Sequence, residues 1–407
     1  MVKKTDVQAI FLVYVILLVG LFFYSFTQVD LNLTLTRITF WFAVQDFFQH
    51  IGYFQRMLST GLYVALLSGM FILYGLFLRR AYSGSLGISG VWGLIGLTAG
   101  ILLFSYPAFS YDLFNYLFDA RIFTLHGENP YMHRALDYPD DPWTHFMRWT
   151  HRTYPYGPLW LVLTVPLSYL GMQKFVVSLY LFKMLMAGSY VASVYFIHKI
   201  LMSLRKITQA GTNEAIAGTV LFALNPLVIT ESLVSAHNDI VMVMFTLASL
   251  YLLFEKKYWA SVLLLAASIA IKFATVFLLP LYLWWYILNR NHKGDTPENV
   301  NRFRYFSLVL MCGAIIAATI RTQFQPWYLL YAIPFAVLAG VRYYIVIPMI
   351  ILSVAGLLQY VPYLYRGNWD APVPGILNGI MIGGVVTSIV AMLIFKIYKT
   401  NRINKTN

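Results

Sequence analysis

The chain has 407 residues, 59% of them hydrophobic and only 11% charged, with a mean hydropathy of +0.67. Soluble domains run roughly 45–50% apolar and about 25% charged, so a water-soluble enzyme and a disordered chain are both excluded. The formal net charge is +13, and the single cysteine, Cys312, permits neither an internal disulfide nor a cysteine-based metal site.

In chain order, apolar runs at 8–27, 60–78, 87–106, 175–198, 214–232, 239–254, 305–320, 343–361 and 374–396 predict membrane-spanning helices. Each such helix needs about 20 apolar residues. Segments 258–271, 273–289 and 327–340 are short for a crossing and predict tilted spans or half-helices shielded by protein. Lys3 and Lys4 precede the first run and no small-residue cleavage motif follows it, so it reads as a retained anchor. Gly96-Leu97-Thr98-Ala99-Gly100 has the small-xxx-small spacing of helix packing. Lys183, mid-helix, is costly unless paired or wet, and a buried pair is expected rather than a ligand contact. No repeat, linker or second domain interrupts 1–407. Asn32-Leu33-Thr34 matches a glycosylation sequon, a triplet that also arises by chance.

The net charge sorts by side. With the N-terminus inside and alternation at each crossing, inner segments hold 18 basic and five acidic residues, and outer segments nine basic and 11 acidic. This is the positive-inside pattern, so the charge reports topology and nucleic acid is not an expected partner. The predicted fold is an all-α polytopic bundle of about 12 transmembrane helices with both termini cytoplasmic. That topology requires 158–172 to make no net crossing, by re-entering or by lying along the outer face. It also requires 258–289 to cross twice, leaving Lys272 outside.

Polar chemistry gathers on the outer side. Residues 107–157 form a 51-residue stretch with six carboxylates, four Arg, four His and many Tyr and Trp. Loops of that length are usually functional or disordered, and this one is too aromatic for disorder. The outer segments 233–239, 321–328 and 362–373 share its chemistry, and polar groups at membrane depth tend to mark function.

Several runs resemble a known family. Ser110-Tyr111-Asp112, Asp119-Ala120-Arg121, Gly127-Glu128-Asn129-Pro130-Tyr131 and Tyr154-Pro155-Tyr156-Gly157-Pro158-Leu159 are similar to the first outer loop of GT-C glycosyltransferases. The likeness is to polyprenyl-phosphate-mannose-dependent mannosyltransferases, including the first mannosyltransferase of GPI-anchor synthesis. Asn225-Pro226, Glu231 and His237-Asn238-Asp239 resemble the second outer loop of bacterial members. Lys272 and Pro326-Trp327-Tyr328 fall where such proteins often carry similar residues. The resemblance covers roughly residues 100–335. One departure is that several relatives have an Asp-x-Asp pair where this chain has Ser110-Tyr111-Asp112.

The resemblance implies transfer of a hexosyl residue, mannose above others, from a polyprenyl-phosphate donor to a glycan or lipid-linked acceptor at the outer face of the plasma membrane. Such transfer needs a carboxylate to take the acceptor proton. It also needs cations for the leaving phosphate and aromatic faces for sugar rings. Asp112 is the expected base, and Asp119 either shares in catalysis or pairs Arg121 or a neighbour. Arg121, Asn129, Tyr131, Tyr154, Tyr156, His237, Asn238, Asp239, Lys272, Arg321, Trp327 and Tyr328 are the expected substrate contacts. No cofactor is required; the lone acid weakens a metal held by paired carboxylates and leaves divalent Mg or Mn as an option. Each residue also has a structural alternative. Asp112 could cap a loop helix, His237 and Asp239 could cap the helix at 239–254, Lys272 and Arg321 could snorkel, and Asp140-Asp141 could be a solvated turn. A multi-pass transporter and a non-catalytic lipid- or glycan-binding protein are the competing functions. Transporters favour inverted repeats and ionisable groups at the midplane; this chain shows no repeat and keeps its acids at one surface.

Overall fold

The computed structural model describes residues 4–290 and 296–406, with side chains over 8–290 and 296–401. Of the charges counted for topology, Lys3, Lys293 and Asp295 lie outside the described residues, as do the side chains of Lys4, Asp6, Arg402 and Lys405. No strand occurs among the described residues; one isolated bridge joins Arg134 and Thr153. Apolar runs away from water satisfy their backbone groups internally, and helices do this within one segment.

The chain opens with α1 (Lys4–Ser25), α2 (Thr39–Phe54), α3 (Arg56–Tyr82) and α4 (Ile88–Leu102). The long loop holds α5 (Asp112–Thr124) and ends at α6 (Pro158–Leu170), which turns sharply into α7 (Phe175–Thr208). Next come α8 (Thr212–Ala223), α9 (Pro226–Ile229), α10 (Asp239–Phe254), α11 (Tyr258–Ile269) and α12 (Leu279–Arg290). The chain closes with α13 (Pro297–Thr322), α14 (Leu329–Ala339), α15 (Tyr343–Leu358), α16 (Val361–Arg366) and α17 (Val373–Thr406).

The expected dozen crossings is not reproduced. Six described helices are long and apolar enough to span a membrane, and a seventh is obtained by joining α8 to 226–234 across a 47° bend. α4, α6, α10, α11 and the helix over 326–339 are apolar but shorter. The 12 residues of α11 rise only about 18 Å at 1.5 Å each, against a hydrocarbon core of about 30 Å.

Segment 158–172 lies along the loop that precedes it. Tyr116 meets Trp160 edge-on at 5.2 Å, and Thr124 and Ser168 share a hydrogen bond of 2.9 Å, so α6 runs beside α5 over its whole length. Phe175, just beyond the turn, stacks on Phe114 at 6.1 Å. Both ends of α6 therefore stay with the same loop.

Two sequence expectations are corrected here. Among the described residues Lys183 has no acidic partner: its ammonium donates to the carbonyls of Leu102 and Ser105 and to the Ser105 hydroxyl, 2.7 Å away. Those acceptors stand at and just past the C-terminal end of α4, where helix carbonyls lack intrahelical donors and the dipole favours a cation. Gly96 and Gly100 have no neighbouring atoms where a Cβ would stand, so they do not mediate close helix packing within the chain.

Candidate active site

The first turn of α5 anchors the site. The Asp112 amide donates to the Ser110 hydroxyl at 3.2 Å, which starts the helix and leaves the Asp112 carboxylate free of any capping bond. Residues 148–152 cross this turn, held by the Asn115 amide donating to the Trp149 carbonyl at 3.2 Å. Arg152 from this strap lies 3.7 Å from one Asp112 oxygen and packs over the Trp149 ring at 5.2 Å.

A broken helix supplies the opposite wall. Pro226 cannot continue α8, so the chain restarts with Asn225 accepting from the Leu227 amide at 2.9 Å. The carbonyls freed at Leu221 and Ala223 receive the hydroxyls of Tyr74 and Tyr190. Residues 230–234 then form a wide π-type turn, a feature frequent at functional sites. Ala236 follows in the left-handed region at φ 58° and turns the chain so that His237 faces back toward α5. The buried His237 ring has Nδ1 3.5 Å from Asp112 and Nε2 3.4 Å from Glu231, neither with hydrogen-bond alignment. Its face stacks on Trp327 at 3.9 Å, and Tyr360 donates to the other Glu231 oxygen at 2.9 Å. A carboxylate–imidazole–carboxylate chain results.

Lys272 supplies the second cation. Gly157 permits its approach: a Cβ there would lie 2.2 Å from the Ala270 carbonyl oxygen, and the Gly157 amide donates to Ile271 at 3.1 Å. The Lys272 ammonium donates to both oxygens of the buried Asp239 at 2.8 Å and sits 5.7 Å from the Tyr156 ring. Asp239 is thus paired rather than capping α10, and His237 makes no capping bond either. Tyr116 meets Tyr156 edge-on at 5.2 Å and donates to Asn238 at 3.2 Å, joining α5 to the same wall.

The two α5 aspartates differ in charge state. Burial pushes Asp112 upward, but contact with His237 and the positive charges of Arg152 and Lys272 outweigh it and hold the carboxyl below its ordinary range. Burial pushes Asp119 up to about 8; Arg152 only partly opposes this, and Asp112 adds to it. At neutral pH, Asp112 is an anion and Asp119 a neutral acid with one oxygen unpartnered.

The remaining expected residues divide. Arg121 does not pair with Asp119: it bonds Asp141 at 2.7 Å and Gln173 at 2.5 Å and covers the Trp143 ring at 4.2 Å. Asp141 is consequently buried and not a solvated turn residue; Asp140 alone is exposed. Asn129 accepts from the Tyr131 amide in a local turn at 3.0 Å. Tyr131 and Tyr154 contact each other edge-on and donate to the carbonyls of Tyr156 and Gly157, shaping that wall. Tyr328 meets Trp327 edge-on and shares a hydrogen bond with Thr322. Arg321 is exposed, and no described hydrogen bond or ion pair ties it to the cluster. Among the described residues no group of three or more His, Cys, Asp or Glu is placed to hold a metal ion.

Arg152 was not among the expected contacts. An arginine four residues after Arg148 in a loop carries no local pattern that singles it out, and only the crossing over α5 does so. Glu231 had a sequence signal, an acid five residues past a helix-breaking Asn-Pro, without an assigned role.

Residues 33–288 match the family model described as the N-terminal domain of alpha-(1->6)-mannopyranosyltransferase. The chain belongs to that family. The alpha-(1->6)-mannopyranosyltransferase A of Mycobacterium tuberculosis is 26% identical over 198 residues, which is 48% of this chain and 37% of that protein. That of Corynebacterium glutamicum is 26% identical over 184 residues, 45% and 36% of the respective chains. The matched part thus spans little more than a third of these mannopyranosyltransferases. No solved structure matches. The family match takes in α5, the strap, Glu231, His237 and Lys272.

Proposed function

We propose that the protein transfers a mannosyl residue from a polyprenyl-phosphate donor to a glycan or lipid-linked acceptor at the outer face of the plasma membrane. Support comes from family membership and from one observation: an ionised carboxylate, Asp112, flanked by His237, Arg152 and, through the Asp239 pair, Lys272. Asp112 accepts the acceptor hydroxyl proton as that oxygen bonds to the anomeric carbon. The bond from that carbon to the phosphate oxygen breaks at the same time, and the phosphate leaves with both bonding electrons. Lys272 and Arg152 balance its charge, the role for which Arg and Lys suit phosphate. Attack from the face opposite the phosphate inverts the anomeric carbon. Trp327 stacks on the His237 ring, which lies 3.5 Å from Asp112 and favours its charged form.

The test is to incubate membranes carrying the protein with several labelled polyprenyl-phosphate sugars and to identify the product. Mannose-labelled glycan or lipid, absent with Asp112→Asn, is expected. Label transferred only from a different donor sugar, or equal transfer by Asp112→Asn, would contradict the proposal.

A further inference from the structure

A second constellation lies on the other side of the α5 first turn. The strap that sends Arg152 to Asp112 sends Arg148 the opposite way. Arg148 lies 5.0 Å over the Tyr111 ring and 3.4 Å from the buried carboxylate of Asp30. Asp30 is held in place by a loop sewn to α2: Gln49 donates to the carbonyls of Val29 and Asp30 at 3.1 and 3.0 Å. Tyr363 and Trp369 complete the group as a stacked pair with centroids 4.6 Å apart. Asp30 and Tyr363 lie close enough to Tyr53 and Tyr111 that, after burial as the main cause, they oppose ionisation of both phenols.

This is a built surface. Gly367 has φ +79°, in the left-handed region that favours glycine, and the Arg56 guanidinium carbon lies 2.3 Å from where a Cβ would stand, so the 367–370 loop packs closely on Arg56. Arg56 in turn covers the Tyr53 ring at 5.7 Å. The loop carrying Trp369 is thereby fixed beside Tyr53, while Trp369 itself stays half exposed.

The Tyr111 side of α5 carries a matched pair of its own. Arg148 lies 3.4 Å from Asp30, so the pair offers hydrogen-bond donors and acceptors with no net charge. A neutral polyol fits such a pair; a phosphate does not. Flat aromatic faces suit the apolar face of a hexose ring.

We infer that Tyr53, Tyr111, Tyr363 and Trp369, with the Arg148–Asp30 pair, form an acceptor subsite that binds a hexose of the acceptor glycan next to Asp112. The inference rests on the glycosyl-transfer reading for its orientation, and its binding test does not depend on turnover.

The probe is α-1,6-linked mannotriose, titrated into the full chain in lipid nanodiscs and followed by tryptophan fluorescence and by calorimetry. Trp369→Ala and Tyr363→Ala should each weaken mannotriose by about tenfold or more, and Trp369→Phe should recover most of the affinity. In turnover, Trp369→Ala should raise KM for the acceptor and leave KM for the donor unchanged. Failure of the native chain to bind mannotriose would overturn the inference, as would unchanged affinity in both alanine variants. If the rings serve only as membrane anchors, the alanine variants will lose membrane-inserted protein and keep native affinity, which also overturns it. Saturable mannotriose binding lost in Trp369→Ala, together with full transfer by Asp112→Asn, would keep the subsite and sink the catalytic reading instead.

Discussion

Asp112 and Asp119 stand on one face of α5, two turns and about 10 Å apart, yet their surroundings give them opposite charge states. Both are buried. Asp112 gains Arg152 and His237 in direct contact, whereas Asp119 keeps an oxygen with no partner. Burial alone makes a carboxylic acid neutral, and only contacts that favour the anion restore its charge. A pair of acids driven apart in this way marks the division of roles in an active site. Here it leaves one carboxylate able to take a proton at neutral pH. The other can only donate one until the pH passes about 8.

The sharpest way to break the contrast is to neutralise each acid in turn. Asp112→Asn keeps the shape and removes the base, so transfer should slow by at least about 10²-fold while donor binding persists; single-turnover rates beside donor affinity measure both. His237→Gln comes next. It removes the imidazole 3.5 Å from Asp112 that helps hold the base ionised, so the rate should fall about tenfold, the effect of about one pKa unit, with donor KM little changed. Glu231→Gln should follow His237→Gln in kcat if it acts through that ring, and should be nearly silent if it does not.

Asp119→Asn should have the smallest kinetic effect, under about tenfold, and its signature is in stability. Between the ordinary value of 3.8 and about 8, the folded chain keeps a proton at Asp119 that the unfolded chain has lost. Stability therefore falls as pH rises across that window, and the substitution removes the fall. Melting curves in nanodiscs should show Asp119→Asn gaining on the native chain from pH 5 to about 8 and levelling off above. A gain that shrank with rising pH would mean that Asp119 is ionised and paired in the native fold.

Sequence reading singles out Asp112, His237, Asp239 and Lys272 because each is a polar residue where an apolar run ends, a pattern legible in the sequence itself. It could not pair them. Lys272 and Asp239 are 33 residues apart, and their contact depends on Gly157 letting 270–271 close against α6. Arg121 shows the same limit: the motif points to ligand contact, and only the fold reveals its bond to Asp141, 20 residues on. The count of about 12 crossings is not confirmed for a related reason. Hydropathy sees apolar length and does not see where Asn225-Pro226 bends a run or where a 12-residue helix stops short. α2 escaped notice because Gln45, Asp46, Gln49 and His50 interrupt its aromatic face, although Gln45 and Gln49 are what fasten the loop bearing Asp30.

The most direct measurement is the anomeric configuration of the transferred sugar, read by NMR on product made from a polyprenyl-phosphate donor of known configuration. One ionised carboxylate beside a neutral one, with the acceptor on the far side from the phosphate, predicts inversion at that carbon. Retention would require a covalent glycosyl intermediate on a side chain and would contradict the role assigned to Asp112.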